Sequence, residues 1–155
     1  MRRSVLLALA LWLGSMPLAS AAVPTHFEPV IGGALLCRDA IDPVYFKDYL
    51  TRYFKAPYKV EGGAYWFKPE PKQQLFGLEL VDMFVSLETS RYAFLGVVFK
   101  EKLADARKKL LEAKGAVFLP YAGETVLRSP PGSFLIQYDT SQTKLYCVKY
   151  RAFEE

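Results

Sequence analysis

Two apolar runs decide the fold: LFGLELVDMFVSL at residues 75–87 and YAFLGVVF at residues 92–99, separated by the polar segment ETSR at residues 88–91. Both runs are rich in aromatic and β-branched residues, which favour strands, and the polar segment is typical of a turn. The sequence therefore predicts two adjacent strands here. The first run has apolar residues in both phases of a strand, so we expect it either to be covered on both faces or to belong to a surface that meets a partner.

Upstream of these runs, the pattern predicts a helix and a hairpin. Asp42 followed by Pro43 is typical of an N-cap with proline at the first helical position, and apolar side chains recur at helical spacing until Pro57 prevents continuation. Strands at residues 58–61 and 64–68 then flank a two-residue glycine turn. Together with the two apolar runs, this first unit is a helix followed by four strands.

The second half of the chain has the same order of elements. Residues 101–114 predict a helix with one apolar stripe, which Gly115 caps at its C-terminus. Four further strands are predicted, at residues 116–121, 124–128, 134–138 and 144–150. We interpret the chain as a tandem duplication, with repeat one at about 42–100 and repeat two at about 101–151. The alternative is that any two α+β halves share such helix and turn residues, because few positions are identical.

Two such units predict an α+β fold. The strands would form one broad antiparallel sheet with both helices packed on one face, which leaves the other face open. In the order of its elements alone, this arrangement is similar to the tandem helix-plus-four-strand topology of β-lactamase inhibitor proteins. The similarity includes no functional motif, so it implies a fold and assigns a role to no residue.

The N-terminus predicts export. Two arginines follow the first methionine, residues 5–13 are an unbroken apolar run, and Ala19-Ser20-Ala21 is a small-x-small cleavage site. We therefore expect a signal peptide at residues 1–21, cleaved after Ala21 or Ala22, and a mature protein in the periplasm or outside the cell. The apolar run is too short to span a bilayer, so no membrane insertion is predicted.

Both cysteines of the chain lie in the predicted mature part. An even cysteine count in an oxidising compartment favours a disulfide, so we expect Cys37 to pair with Cys147; the alternative is two buried free thiols. Residues 22–36 contain two prolines and a glycine pair and are predicted to form an arm, which leaves residues 37–155 as a single domain.

Charge and residue content argue against several function classes. Loss of the two arginines of the signal peptide would lower the 20 basic residues of the chain to 18, against 16 acidic ones, so a nucleic-acid partner is not indicated. The only histidine, His26, falls in the predicted arm, where it would not be held beside a nucleophile. The acidic-Thr-Ser triplets at residues 88–90 and 139–141 are typical of turns and not of an aspartic-protease pair. We expect no enzyme activity, no cofactor and no metal site.

Aromatic residues predict a contact surface. The chain contains 11 Phe, 10 Tyr and 2 Trp, and Tyr and Trp offer large rigid area with a polar edge. Two corresponding loops place aromatic or basic residues beside prolines, and we expect the partner-binding residues there: Tyr65, Trp66, Phe67, Lys68 and Arg128. The alternative is that these loops are ordinary hairpin ends, with Trp66 in the core.

Together, these features predict that the protein is an exported, non-enzymatic binding protein whose partner is a protein of the periplasm or exterior. The leading hypothesis is an inhibitor or immunity-type protein that blocks one enzyme or toxin. The alternative is a structural or assembly factor of the cell envelope, which would contact an abundant partner such as an outer-membrane protein or peptidoglycan.

Overall fold

The computed structural model describes residues 26–151, which form three helices and nine strands. In chain order these are α1 (Phe27–Leu35), α2 (Pro43–Phe54), β1 (Lys59–Glu61), β2 (Ala64–Phe67), β3 (Gln74–Leu75), β4 (Leu78–Ser86), β5 (Tyr92–Phe99), α3 (Leu103–Lys114), β6 (Leu119–Pro120), β7 (Val126–Arg128), β8 (Phe134–Gln137) and β9 (Thr143–Tyr150). The predicted signal peptide at residues 1–21, with its cleavage site after Ala21 or Ala22, lies outside the described residues. None of the helices within residues 26–151 has the length and apolar character that crossing a membrane requires.

The strands form one broad antiparallel sheet. Eight of them follow one another in the order β1-β2-β4-β5-β9-β8-β7-β6, and the short β3 pairs with β4 beside this row. The last long strands of the two halves, β5 and β9, meet at the centre, where Tyr92 lies opposite Tyr150 and Phe99 opposite Thr143. Each half of the chain therefore builds one side of the sheet, and the predicted α+β class with a broad antiparallel sheet is confirmed.

Several local predictions are confirmed at the ends of these elements. The Asp42 carboxylate accepts hydrogen bonds from the backbone N–H groups of Val44 and Tyr45, at 2.9 and 3.2 Å, and so caps α2. Gly115 ends α3 in the left-handed conformation, with φ 61°. The glycine turn between β1 and β2 has two positive φ angles, 61° and 72°, as a tight hairpin requires.

All three helices pack on the same face of the sheet. Helix α1 lies over β5 and β9, α2 over β2, β4 and β5, and α3 over β8. Successive strand residues point to opposite faces, and the strand residues in the main core are mostly alternate ones: Phe67, Leu75, Leu78, Leu80, Met83, Val85, Leu95, Val97, Phe99, Leu127, Leu135 and Leu145. The alternation shifts by one residue in β4, at the irregularity between Leu80 and Asp82. Within residues 26–151, no helix covers the other face, which we call the open face.

The arm predicted at residues 22–36 is wrong where the structure describes it, because residues 27–35 form α1. Its buried side chains recur at helical spacing, on the side that faces the sheet: Phe27, Ile31, Ala34 and Leu35. Pro29 is tolerated because it lies in the first turn, where a backbone N–H has no partner within the helix. The folded domain therefore begins before residue 37.

Gly32 of α1 allows close packing against a turn of the sheet. A Cβ on Gly32 would lie 2.9 Å from the Phe76 ring, and the Glu28 carboxylate accepts a hydrogen bond from the Phe76 N–H at 3.2 Å. Phe76 and Gly77 have φ angles of 57° and 73° and form the tight turn between β3 and β4. The single strand predicted at residues 75–87 is therefore wrong at its start, because packing under α1 holds Phe76 in a turn.

His26 also differs from the expectation of a mobile arm. It directly precedes α1, and its ring lies 5.8 Å from the Tyr49 ring and 5.5 Å from the Tyr53 ring, edge-on to both. These contacts place the exposed histidine against two rings of α2. The mobility argument against a catalytic role for His26 therefore does not hold.

A disulfide joins Cys37 to Cys147, as the sequence predicts. Cys37 follows α1, and Cys147 is fully buried in the central strand β9. The bond connects positions 110 residues apart, so it links the first helix directly to the centre of the sheet.

Candidate functional site

A row of aromatic side chains crosses the open face. Cross-strand pairing places the following residues side by side on β2, β4, β5, β9 and β8: Trp66, Phe84, Gly96, Tyr146 and Phe134. The rings of Trp66 and Phe84 are 4.8 Å apart, and those of Phe134 and Tyr146 stack at 5.3 Å. We call these four rings the aromatic row.

Gly96 makes the packing of this row possible. A Cβ at this position would overlap the Phe84 ring, so the ring lies directly over the glycine backbone. Phe84 and Trp66 are only 5% and 8% exposed, although no helix lies above them in the described chain. Any larger residue at position 96 would displace Phe84 and disturb the floor of the open face.

Three rings of the aromatic row, those of Trp66, Phe84 and Tyr146, form the floor of a concavity of about 400 Å³. Phe94 and Val148, which are paired across β5 and β9, form one wall, and Ile136 and Lys144, paired across β8 and β9, form the other. The concavity therefore lies on the surface of the sheet, and strands from both halves of the chain contribute to it.

Lys144 places a positive charge in this aromatic setting. Its Nζ lies 4.2 Å from the centre of the Tyr138 ring, 5.4 Å from Phe84 and 5.7 Å from Trp66, within the range of cation–π contacts. Within residues 26–151 it forms neither an ion pair nor a hydrogen bond. Burial lowers the pKa of the Lys144 ammonium, and repulsion from Lys59 lowers it further.

Three other basic side chains stand on rings of the open face: Lys59, Arg128 and Lys68, whose Nζ lies 4.8 Å from the Tyr58 ring. The Nζ of Lys59 lies 4.5 Å from the Trp66 ring and 2.6 Å from the Glu61 carboxylate, so its charge is balanced locally. The Arg128 guanidinium lies 5.1 Å from the Tyr121 ring. The open face thus combines aromatic area with positive charge.

Exposed tyrosines surround the aromatic row. Five of the six exposed tyrosines among the described residues belong to the open face: Tyr58, Tyr92, Tyr121, Tyr138 and Tyr150. Tyr121 contacts Phe134, Tyr138 contacts Lys144, and the Tyr58 hydroxyl donates to the Asp82 carboxylate at 2.9 Å. The rings of Tyr92 and Tyr150 meet at 5.8 Å across β5 and β9, in phase with Phe94 on the same face. We call these five residues the tyrosine rim; the sixth, Tyr45, lies on α2.

Three of the predicted partner-binding residues lie on the open face. Trp66 belongs to the aromatic row, and its indole N–H donates to the Glu61 carbonyl at 3.0 Å, so it forms part of the floor and does not project. Lys68 is exposed and pairs with the Asp82 carboxylate at 2.7 Å. Arg128 is exposed beside Tyr121.

The other two predicted residues point the opposite way. Phe67 is fully buried in the main core. The Tyr65 hydroxyl donates to the Glu88 carboxylate at 2.9 Å, on the side of α2, and Lys47 of that helix pairs with the same carboxylate at 2.7 Å. The hydrogen bond from Lys47, with the one from Tyr65, lowers the pKa of Glu88 to about 2. The prediction of Phe67 and Tyr65 as partner-binding residues is therefore wrong, because both side chains lie on the helix-covered face.

Sequence reasoning missed the contribution of β9. The stretch TKLYCVKY at residues 143–150 alternates, so that Lys144, Tyr146 and Val148 share one face while Leu145 and Cys147 share the other. This period of two is a signal that could have found Lys144. Its meaning depends on the pairing of β9 with β5 and β8, which local sequence does not give.

Neither a metal-binding cluster nor similarity to known proteins helps to assign a function to the open face. Within the described part of the chain, no three His, Cys, Asp or Glu side chains come together in a way that could hold a metal ion. Comparison of the chain with protein-family models, with curated proteins and with solved structures found no match. The candidate site therefore rests on its own geometry.

Proposed function

We propose that the protein is an exported, non-enzymatic binding protein that blocks a protein partner, as an inhibitor or immunity-type protein does, and that the open face is its contact surface. The observation that carries the proposal is the tyrosine rim around the aromatic row, in which Trp66 and Phe84 are buried and Tyr146 and Phe134 are half-buried. Tyrosine is enriched at protein interfaces because it offers rigid apolar area with a polar edge, and it is among the residues that most often act as binding hot spots.

The extent of the surface favours a protein partner over a small ligand. Eight strands at a spacing of about 4.8 Å make the open face roughly 34 Å wide, which is enough for a standard protein interface. Members of the tyrosine rim lie on strands or loops of both halves of the sheet, outside the lining of the concavity. A small molecule in the concavity would leave most of them without a contact.

The disulfide supports the proposed location. A bond between Cys37 and Cys147 persists in oxidising compartments such as the periplasm or the exterior and is rare in the cytosol. The tandem duplication and the topological similarity to β-lactamase inhibitor proteins remain hypotheses. The strand order supports the first, because β5 and β9, the last strand of each half, pair at the centre of the sheet.

Affinity capture with matched variants tests the proposed function. We expect Tyr121→Ala and Tyr138→Ala each to weaken binding of the purified partner at least tenfold, about 1.4 kcal/mol, because each removes a ring of the tyrosine rim. Tyr45→Ala removes a similarly exposed tyrosine on α2 and is expected to leave the affinity unchanged. The partner is captured from extracts of the periplasm and the medium, and its affinity for each variant is measured by calorimetry.

Two outcomes would contradict the proposal. Equal binding by the tyrosine-rim variants and wild type would show that the open face is not the contact surface. An abundant outer-membrane protein or peptidoglycan as the partner, with no enzyme or toxin activity lowered on binding, would replace the inhibitor by an envelope assembly factor.

A further inference from the structure

Lys144 differs from the other partly buried lysines of the described chain. Four of them are paired with a carboxylate: Lys47 with Glu88, Lys59 with Glu61, Lys109 with Glu101 and Lys114 with Glu28. Lys144 alone has no such partner within residues 26–151. Only at this position is the cost of partly burying an ammonium not offset by a carboxylate; the cation–π contacts of Lys144 offset it only in part.

The neighbours of Lys144 explain why no carboxylate of the open face reaches it. Its cross-strand partners are Val98 on β5 and Ile136 on β8, both apolar. Glu61 is engaged by Lys59 at 2.6 Å, and Asp82 by Lys68 at 2.7 Å. A positive charge thus faces the concavity between apolar side chains.

We infer that Lys144 pairs with a carboxylate of the protein partner, supplied by an aspartate or glutamate with apolar or aromatic neighbours that pack on the aromatic row. This inference rests on the proposed function, since it names what the open face recognises. An acidic side chain would complete the missing ion pair, beside rings that lie 4.2 to 5.7 Å from the Lys144 Nζ. Its apolar neighbours would fill the concavity of about 400 Å³ beside it.

Peptide selection tests the inference without the natural partner. A display library of random 12-residue peptides is selected on the exported protein and on two variants that each lose one positive charge of β9. Lys144→Gln removes the charge in the concavity, and Lys149→Gln removes an exposed charge on the opposite side of the strand. We expect wild type and Lys149→Gln to enrich peptides with Asp or Glu beside an aromatic residue, and Lys144→Gln to lose the acidic preference but keep the aromatic one.

A double-mutant cycle then measures the coupling directly. One selected peptide and its version with the acid changed to the amide are titrated against wild type and Lys144→Gln. We expect either single change to weaken binding about tenfold or more, and the second change to add little to the first. Equal melting temperatures of the variants and wild type exclude a folding defect.

The possible failures are distinguishable. Selected peptides that compete with the partner but show no acidic preference, or no coupling to Lys144, would overturn the inference and leave the proposed function intact. Failure to select any peptide that contacts the open face would also count against a carboxylate site there. Loss of the proposed function itself would appear as partner binding that is insensitive to the tyrosine rim.

Discussion

Removal of the Cys37–Cys147 disulfide is expected to lower the free energy of unfolding by about 4 to 5 kcal/mol, because the bond closes a loop of 110 residues and so restricts the unfolded chain. Such a loss is a large part of the stability of an ordinary domain. Urea denaturation of the double variant Cys37→Ala/Cys147→Ala, followed by tryptophan fluorescence and circular dichroism, measures it.

Wild type in the presence of a reductant is the matched control, and it should unfold at the same urea concentration as the double variant. A double variant as stable as oxidised wild type would show that the bond does not contribute to folding. Peptide mapping without reduction should recover the two cysteines in one linked fragment.

Phe27→Ala is expected to lower the free energy of unfolding by about 3 to 5 kcal/mol, because Phe27 is only 3% exposed and truncation leaves a cavity. Its ring lies 5.1 Å from the Phe54 ring at the end of α2, so the change also loosens the contact between the two helices. The same urea titration measures the effect.

Val44→Ala provides a control on a neighbouring helix. Val44 lies in α2 and is 49% exposed, so its truncation should change the free energy of unfolding by about 0.5 kcal/mol or less. If Phe27→Ala were as mild as Val44→Ala, α1 would not be part of the core, and residues 27–35 would act as the arm that their composition suggests.

Local chemistry made much of the fold predictable from the sequence. Asp42 and Pro43 start α2, the glycine turn joins β1 to β2, and residues 92–99 form β5 with the predicted ends. In each case the deciding interaction lies within a few residues: a cap, a positive φ, or a run of strand-forming side chains.

Packing over long sequence distances explains what could not be predicted. Proline and glycine in residues 22–36 suggested an arm, but Gly32 is needed for contact with Phe76, and that contact exists only in the folded sheet. The positive φ of Phe76 has the same origin, since Glu28 of α1 holds its backbone N–H. No local sequence pattern indicates the contact between Gly32 and Phe76 or the positive φ of Phe76.

The candidate site, like the fold, could be predicted from local sequence only in part. Trp66, Lys68 and Arg128 were identified from loops rich in aromatic and basic residues, and they lie on the open face. Phe67 was included because it is their neighbour in sequence, but strand alternation turns it into the core. Lys144 was missed because its position among the rings of β2 and β4 depends on the order of strands in the sheet.

Site-specific photocrosslinking tests most directly whether the open face binds the partner. A photoreactive phenylalanine analogue replaces either Tyr138 on the tyrosine rim or Tyr45 on α2, which are 45% and 49% exposed and therefore equally accessible. Irradiation of cells that produce each variant should give one discrete heterologous adduct from position 138 and none from position 45. An adduct from position 45 alone, or none from position 138, would contradict a partner-binding role for the open face.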